Sequence, residues 1–189
     1  MSVGITPKIL KENEFSAVKL KASGWNEIQM KAVGFDCGEL KAAEYDAVSL
    51  RCAGFKVEEL RSGRFTAKEV FDAGFSHKRL AAGGFTAIEL KDSLDLNLVE
   101  LRRAGYQAGQ LKAVGYLAAE LKSVGCPATE TKPFYSPGEL CRSGYTKGEL
   151  KPIGVWPHDG AWQTYNNYWA CCFSLEKGSA CCSPANLAP

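Results

Sequence analysis

An all-α solenoid of short helices is the fold class this sequence predicts, and three observations predict it. A ten-residue phrase recurs from near Thr6 to about Leu150. Each copy opens on a residue type that starts helices, and most copies close on a glycine of the type that stops them. Thr66-Ala67-Lys68-Glu69-Val70-Phe71-Asp72-Ala73-Gly74-Phe75 is one full copy.

Each position in the phrase has a job. A large aliphatic residue sets the register: Leu10, Leu20, Met30, Leu40, Leu50, Leu60, Val70, Leu80, Leu90, then Leu101, Leu111, Leu121, Leu140 and Leu150. One residue is added before Leu101, and the copy around Cys126 to Phe134 is disturbed. Four positions before this reference stand Thr6, Ser16, Asn26, Asp36, Asp46, Thr66, Ser76, Thr86, Asn97, Ser136 and Thr146. Their side-chain oxygens can accept an orphan backbone N–H at a helix start. A Glu or Gln directly before the reference, as at Gln29, Glu39, Glu69, Glu89 and Glu149, completes a capping box. Pro7 and Pro137 fall at the first helical position, where the missing N–H costs nothing.

The closing signal follows four positions after the reference, at Gly24, Gly34, Gly54, Gly74, Gly84, Gly105, Gly115, Gly125, Gly144 and Gly154. Glycine there accepts the left-handed conformation of a Schellman motif. The next residue is usually aromatic, from Phe15 and Trp25 through Phe85 to Tyr106, Tyr116 and Tyr145. That ring is placed to touch the reference residue before it and, as a staple, the one after it. Small residues three before and three after the reference, such as Ala47, Ala67, Ala43 and Ala73, permit close helix approach. Two-turn helices do not survive alone in water, so the stack is the stable unit.

A pentapeptide-repeat β-helix is the competing architecture, since Leu and Phe alternate every five residues. It needs small residues two before each centre, and Glu58, Lys68 and Lys78 would put charges inside its coil.

Charge also follows the period. Lys21, Lys31, Lys41, Arg51, Arg61, Lys91, Lys112 and Lys122 come after the reference, and the acids come before it. Acid in the first turn and base in the last complement the helix dipole. Repeated along a stack they form ribbons of opposite charge, read here as a solvated face. The net charge of +2 and pI of about 8.1 give no electrostatic footprint for nucleic acid or anionic membrane. The N-terminus lacks a signal-peptide pattern and no apolar run reaches membrane-spanning length, so the expectation is an intracellular, cytoplasmic protein.

The phrase Glu-Leu-Lys-x-Ala-Gly-Phe/Tyr, carried by Glu120-Leu121-Lys122-Ser123-Val124-Gly125 and Leu111-Lys112-Ala113-Val114-Gly115-Tyr116, resembles the short decapeptide repeats of many protist and alga-like proteins. The resemblance covers roughly residues 5–155 and implies architecture without a particular activity.

Beyond Gly154 the composition changes, so the chain divides into a repeat domain at 1–154 and a C-terminal module at 155–189. The module is rich in tryptophan and carries the pairs Cys171-Cys172 and Cys181-Cys182, whereas Cys37, Cys52, Cys126 and Cys141 lie singly in the repeats as fillers. A segment this short needs a metal, disulfides or a docking surface to fold. His158 with Cys171, Cys172, Cys181 and Cys182 supplies zinc-type ligands. His158-Asp159-Gly160, Trp169-Ala170-Cys171-Cys172 and Ala180-Cys181 resemble CHORD-type zinc modules, which implies a structural zinc ion. Asp159 and Ala180 depart from that pattern, and the fourth ligand is left open between a second cysteine of a pair and Cys141. Disulfides or free thiols are the other readings.

No phosphate loop, nucleophile elbow or pair of catalytic carboxylates is present in the sequence. The functional expectation is therefore a non-enzymatic scaffold or structural subunit that binds proteins within a large assembly, ended by a zinc cap. Neither a small-molecule substrate nor nucleic acid is expected. A thiol- or metal-dependent redox factor acting through the C-terminal Cys/His cluster is the alternative.

Overall fold

The computed structural model describes residues 15–155. The copy expected to start at Thr6 and the segment from Trp156 onward, with His158, Cys171, Cys172, Cys181 and Cys182, lie outside those residues. Among the described residues the regular structure is helical throughout, in agreement with the all-α reading. The repeats fall into two compact units divided between Gly105 and Tyr106.

The first unit carries α1 (Ala17–Ala22), α2 (Glu27–Val33), α3 (Cys37–Ala42), α4 (Ala47–Cys52), α5 (Val57–Ser62), α6 (Ala67–Asp72), α7 (His77–Ala82), α8 (Ala87–Leu94) and α9 (Leu98–Ala104). The second carries α10 (Ala108–Ala113), α11 (Ala118–Ser123), α12 (Ala128–Thr131), α13 (Pro137–Arg142) and α14 (Lys147–Leu150).

Helix starts form as the sequence dictates. Asp36 Oδ1 accepts from Glu39 N at 2.9 Å while Glu39 Oε2 accepts from Asp36 N at 3.1 Å, and Thr66, Thr86, Asn97, Ser136 and Thr146 build the same reciprocal box. Where Lys56 or Leu117 occupies the cap position, the glutamate half of the box survives: Glu59 and Glu120 each accept the cap residue's backbone N–H at 2.7 Å.

Most helix ends are Schellman motifs. Gly34 N donates to Lys31 O at 2.9 Å and Phe35 N to Met30 O at 3.1 Å, and the pattern recurs from Trp25 to Val155. Glu44 and Arg64 stand in for glycine at this position and still hold φ of 60° and 64°. The added residue before Leu101 is absorbed by lengthening α8, after which Asp95 takes the left-handed turn and Leu96 the buried ring slot.

The disturbed copy is one residue short, with Thr131 nine positions before Leu140, which cancels the residue added before Leu101. Thr131, ten residues after Leu121, is the reference residue of α12, fully buried, its hydroxyl donating to Ala128 O at 3.2 Å. Cys126 takes the ring slot before it and Tyr135 the one after it.

Packing follows a longer period than the phrase. In the first unit α1 packs on α3, α3 on α5, α4 on α6, α6 on α8 and α7 on α9; in the second, α10 packs on α12 and α11 on α13. Helices two repeats apart therefore stack into rows, two decapeptides per coil, while consecutive helices such as α6 and α7 make the second set of contacts. Reference residues from Met30 to Leu150 are completely buried between the rows. The small positions set the spacing within a row. A Cβ on Gly63, three after its reference, would lie 2.4 Å from Cys37 Cβ, three before its own. On Gly83 it would lie 2.3 Å from Val57 Cγ1. A larger residue on one helix is thus matched by glycine on the next in the row. At the equivalent register positions 47 and 73 both residues are buried alanines.

Candidate functional site

At Lys21, Lys31, Lys41, Arg51, Arg61, Lys112 and Lys122 the basic residue after the reference is not part of an open, solvated ribbon. It reaches two repeats along the row, lies on the buried ring there, and in most copies donates to the carbonyls that end that helix. Lys21 Nζ sits 4.4 Å from the centre of the Tyr45 ring and donates to Ala43 O at 2.9 Å and Glu44 O at 2.8 Å. Lys41 Nζ repeats this over Phe65 at 4.5 Å, donates to Arg64 O at 2.8 Å, and pairs with Glu69 Oε2 at 2.8 Å. Arg51 lies over Phe75 with Nη1 donating to Ala73 O at 2.5 Å, and Arg61 lies over Phe85 and meets Glu89 at 3.4 Å. In the second unit Lys112 covers Tyr135 and donates to Phe134 O; Lys122 covers Tyr145, donates to Gly144 O and meets Glu149 at 3.6 Å. The base does complement a helix terminus, as the dipole argument expects, and the carbonyls it reaches belong to the second helix along. Cation–ring contact, charge-assisted bonds and ion pair combine in one side chain.

Tyrosines in the ring slot add a return bond. Tyr45 donates its hydroxyl hydrogen to Trp25 O at 2.6 Å, Tyr135 to Tyr116 O at 2.5 Å and Tyr145 to Cys126 O at 2.8 Å, each to the ring slot two copies earlier. Burial, with Glu139 and Glu120 nearby, pushes the Tyr135 hydroxyl up to about 12.

The bridging carboxylates respond to their partners. Burial opposes ionisation of Glu69, yet bonds from Lys41 and Thr66 outweigh it and hold the carboxyl below the usual range. Glu89 behaves alike through Thr86 and Arg61.

The single cysteines are fillers as the sequence suggests: Cys37, Cys126 and Cys141 are buried and Cys52 is exposed, all as free thiols. Burial, followed by the charges of Glu59 and Asp36, raises Cys37 to about 12, which makes it unreactive. Cys141, weighed as a fourth zinc ligand, is buried within α13. Among the described residues no group of His, Cys, Asp and Glu gathers at metal-binding distance. The expected ligands His158, Cys171, Cys172, Cys181 and Cys182 all lie beyond Val155. His77 stacks on Phe71 with ring centroids 4.7 Å apart.

The repeats also expose aliphatic side chains at one register. Val18, Ile28, Val48, Ile88 and Val99, each two positions before its reference, are 44–64% exposed. Sequence reasoning used this position only to reject a β-helix. Its alternation between aliphatic residues and Glu58, Lys68 or Lys78 was the signal that it faces solvent.

These features define a tandem-repeat protein of capped two-turn helices, bridged across every second copy. The chain is similar to the family of decapeptide repeat regions, which matches residues 1–67 and 24–94 and supports the decapeptide-repeat reading. Comparison with curated proteins and with solved structures returned no match. No helix among the described residues is long and apolar enough to cross a membrane.

Proposed function

We propose that the chain is a non-enzymatic protein-binding scaffold or structural subunit of a larger assembly. One observation carries this reading: the repeats use cations such as Lys41 and acids such as Glu69 to hold neighbouring copies, and leave aliphatic side chains at one register, Val18, Ile28, Val48, Ile88 and Val99, in solvent. Apolar groups left outside a filled core mark a contact surface when they recur at one register. Photo-crosslinking from position 28, 48 or 88 in native extract, followed by mass spectrometry, tests this. The expected result is one discrete protein partner, lost when Ile28, Val48 and Ile88 are all changed to Glu in a variant that keeps its helix content. No crosslinked protein, or capture unaffected by the charges, refutes it.

From the sequence pattern we also propose that His158 and the Cys171-Cys172 and Cys181-Cys182 pairs hold a structural zinc ion. Metal analysis of the full chain with and without His158→Ala tests it; wild-type protein free of zinc discards it.

A further inference from the structure

Within the first unit two of the bridging cations close an ion pair with the residue twenty-eight positions on. For Lys21, Lys31, Lys41, Arg51 and Arg61 the residues at that spacing are Ser49, Glu59, Glu69, Arg79 and Glu89. Glu69 and Glu89 close ion pairs with Lys41 and Arg61. At Arg51 the sign is reversed: Arg79 stands where the copies on either side carry a carboxylate.

Arg51 and Arg79 line one open surface groove of about 460 Å³ with Lys56. Buried Phe55, Val57 and Phe75 form its floor with exposed Ala82 beside them, and Glu58 is the acidic residue of its wall. Arg51 uses Nη1 on Ala73 O, which leaves further N–H donors on its guanidinium. The side chains of Lys56 and Arg79 form no ion pair among the described residues. Two guanidinium groups and an ammonium around one groove repel each other unless an anion lies between them, and a carboxylate fits a guanidinium through paired N–H bonds.

We propose that this groove binds an acidic segment of a partner protein, whose Glu or Asp carboxylate fills between Arg51 and Arg79 the place that Glu69 and Glu89 fill from within the chain. An open groove does not enclose a free small acid, whereas an acidic peptide can set several carboxylates against Arg51, Lys56 and Arg79 at once. The inference rests on the scaffold reading and gives the chemistry of the partner.

The test uses the full chain and a fluorescein-labelled short peptide of alternating glutamate and leucine, followed by anisotropy. Wild type binds it, and more weakly as salt rises. Arg79→Glu weakens binding about tenfold, because an attraction becomes a repulsion. The same variant raises the melting temperature, because it restores the ladder pair with Arg51. Lys68→Gln, outside the groove, leaves binding unchanged, and a peptide with glutamine for glutamate does not bind. If Arg79→Glu misfolds, Arg79→Gln must still weaken binding. Equal binding by wild type and the Arg79 variants, equal binding of the glutamine peptide, or competition by free glutarate at the peptide's own concentration overturns the proposal. A wild-type chain that crosslinks to its partner yet ignores the acidic peptide overturns this inference and leaves the scaffold reading standing.

Discussion

Replacing Gly83 by Ala tests the rule that spaces the helix rows. Gly83 has φ of −75°, so alanine meets no backbone strain there, and any cost comes from packing. The new Cβ would lie 2.3 Å from Val57 Cγ1 and 2.7 Å from Val57 Cβ, while ordinary contact begins at 3.4 Å. Relief of more than an ångström must come from moving α7 away from α5, since Val57 is itself buried. Overpacking of this kind costs about 1–3 kcal/mol. Alanine's smaller unfolded-state entropy returns roughly 0.4–1 kcal/mol, so the net loss is about 1–2 kcal/mol. At this chain length that lowers the melting temperature by roughly 2–8 °C. Val57→Ala alone loses buried methyl groups and costs about 1–2 kcal/mol. The double variant rebuilds the alanine pair found at positions 47 and 73, so its loss should be smaller than the two single losses together by about 1 kcal/mol or more. Far-ultraviolet circular dichroism during heating reads all four proteins. Additive losses, or a Gly83→Ala protein as stable as wild type, would refute size matching between alternate helices.

Three further outcomes are expected. Glu44→Gly and Arg64→Gly should each raise stability by up to about 1 kcal/mol in chemical denaturation, because both residues hold a left-handed backbone that glycine adopts freely while the bonds to Lys41 O and Arg61 O are kept. Glu69 and Glu89 ionise below their ordinary value of 4.5 in the folded chain because bonds from Lys41 with Thr66, and from Thr86 with Arg61, outweigh burial; Glu149 does so through Thr146 and Lys122. A depressed folded pKa gives stability that is present above the unfolded value and is lost as pH falls through the folded one, so melting temperature should hold from neutral pH to about 5 and drop below 4.5. Tyr145→Phe removes the buried 2.8 Å bond to Cys126 O and should cost about 1 kcal/mol, measured as a lower thermal midpoint with unchanged helix content.

Local structure was legible in the sequence because its causes are local. The cap at Thr66, the box with Glu69 and the turn at Gly74 all lie within nine residues, and each formed as read. The stacking of alternate copies was not legible in the same way. Every decapeptide carries the same letters, so the nearest copy looks like as good a partner as the next but one. The signs of the longer period are pairs of departures: Cys37 with Gly63, and Val57 with Gly83. The basic residues misled for a related reason, since a lysine near a helix end reads as solvated until the ring and carbonyls twenty-odd residues on are seen beneath it. Thr131 hid because a polar residue replaced the expected aliphatic one, with its hydroxyl satisfied inside its own turn. The groove at Arg51 and Arg79 was written in the sequence as a break in sign, visible only once the twenty-eight-residue pairing is known.

Because every lysine bridge joins copies of the same parity, ten residues is the unit of spelling and twenty the unit of growth. A gene duplication that inserts a single decapeptide would hand each downstream cation a ring and an acid chosen for the other rank, and would set Val57-sized residues against alanine. Insertion of two decapeptides preserves every such match. Lineages of these repeats should therefore lengthen and shorten in even steps, with odd steps surviving only where the flanking residues are as interchangeable as Ala47 and Ala73.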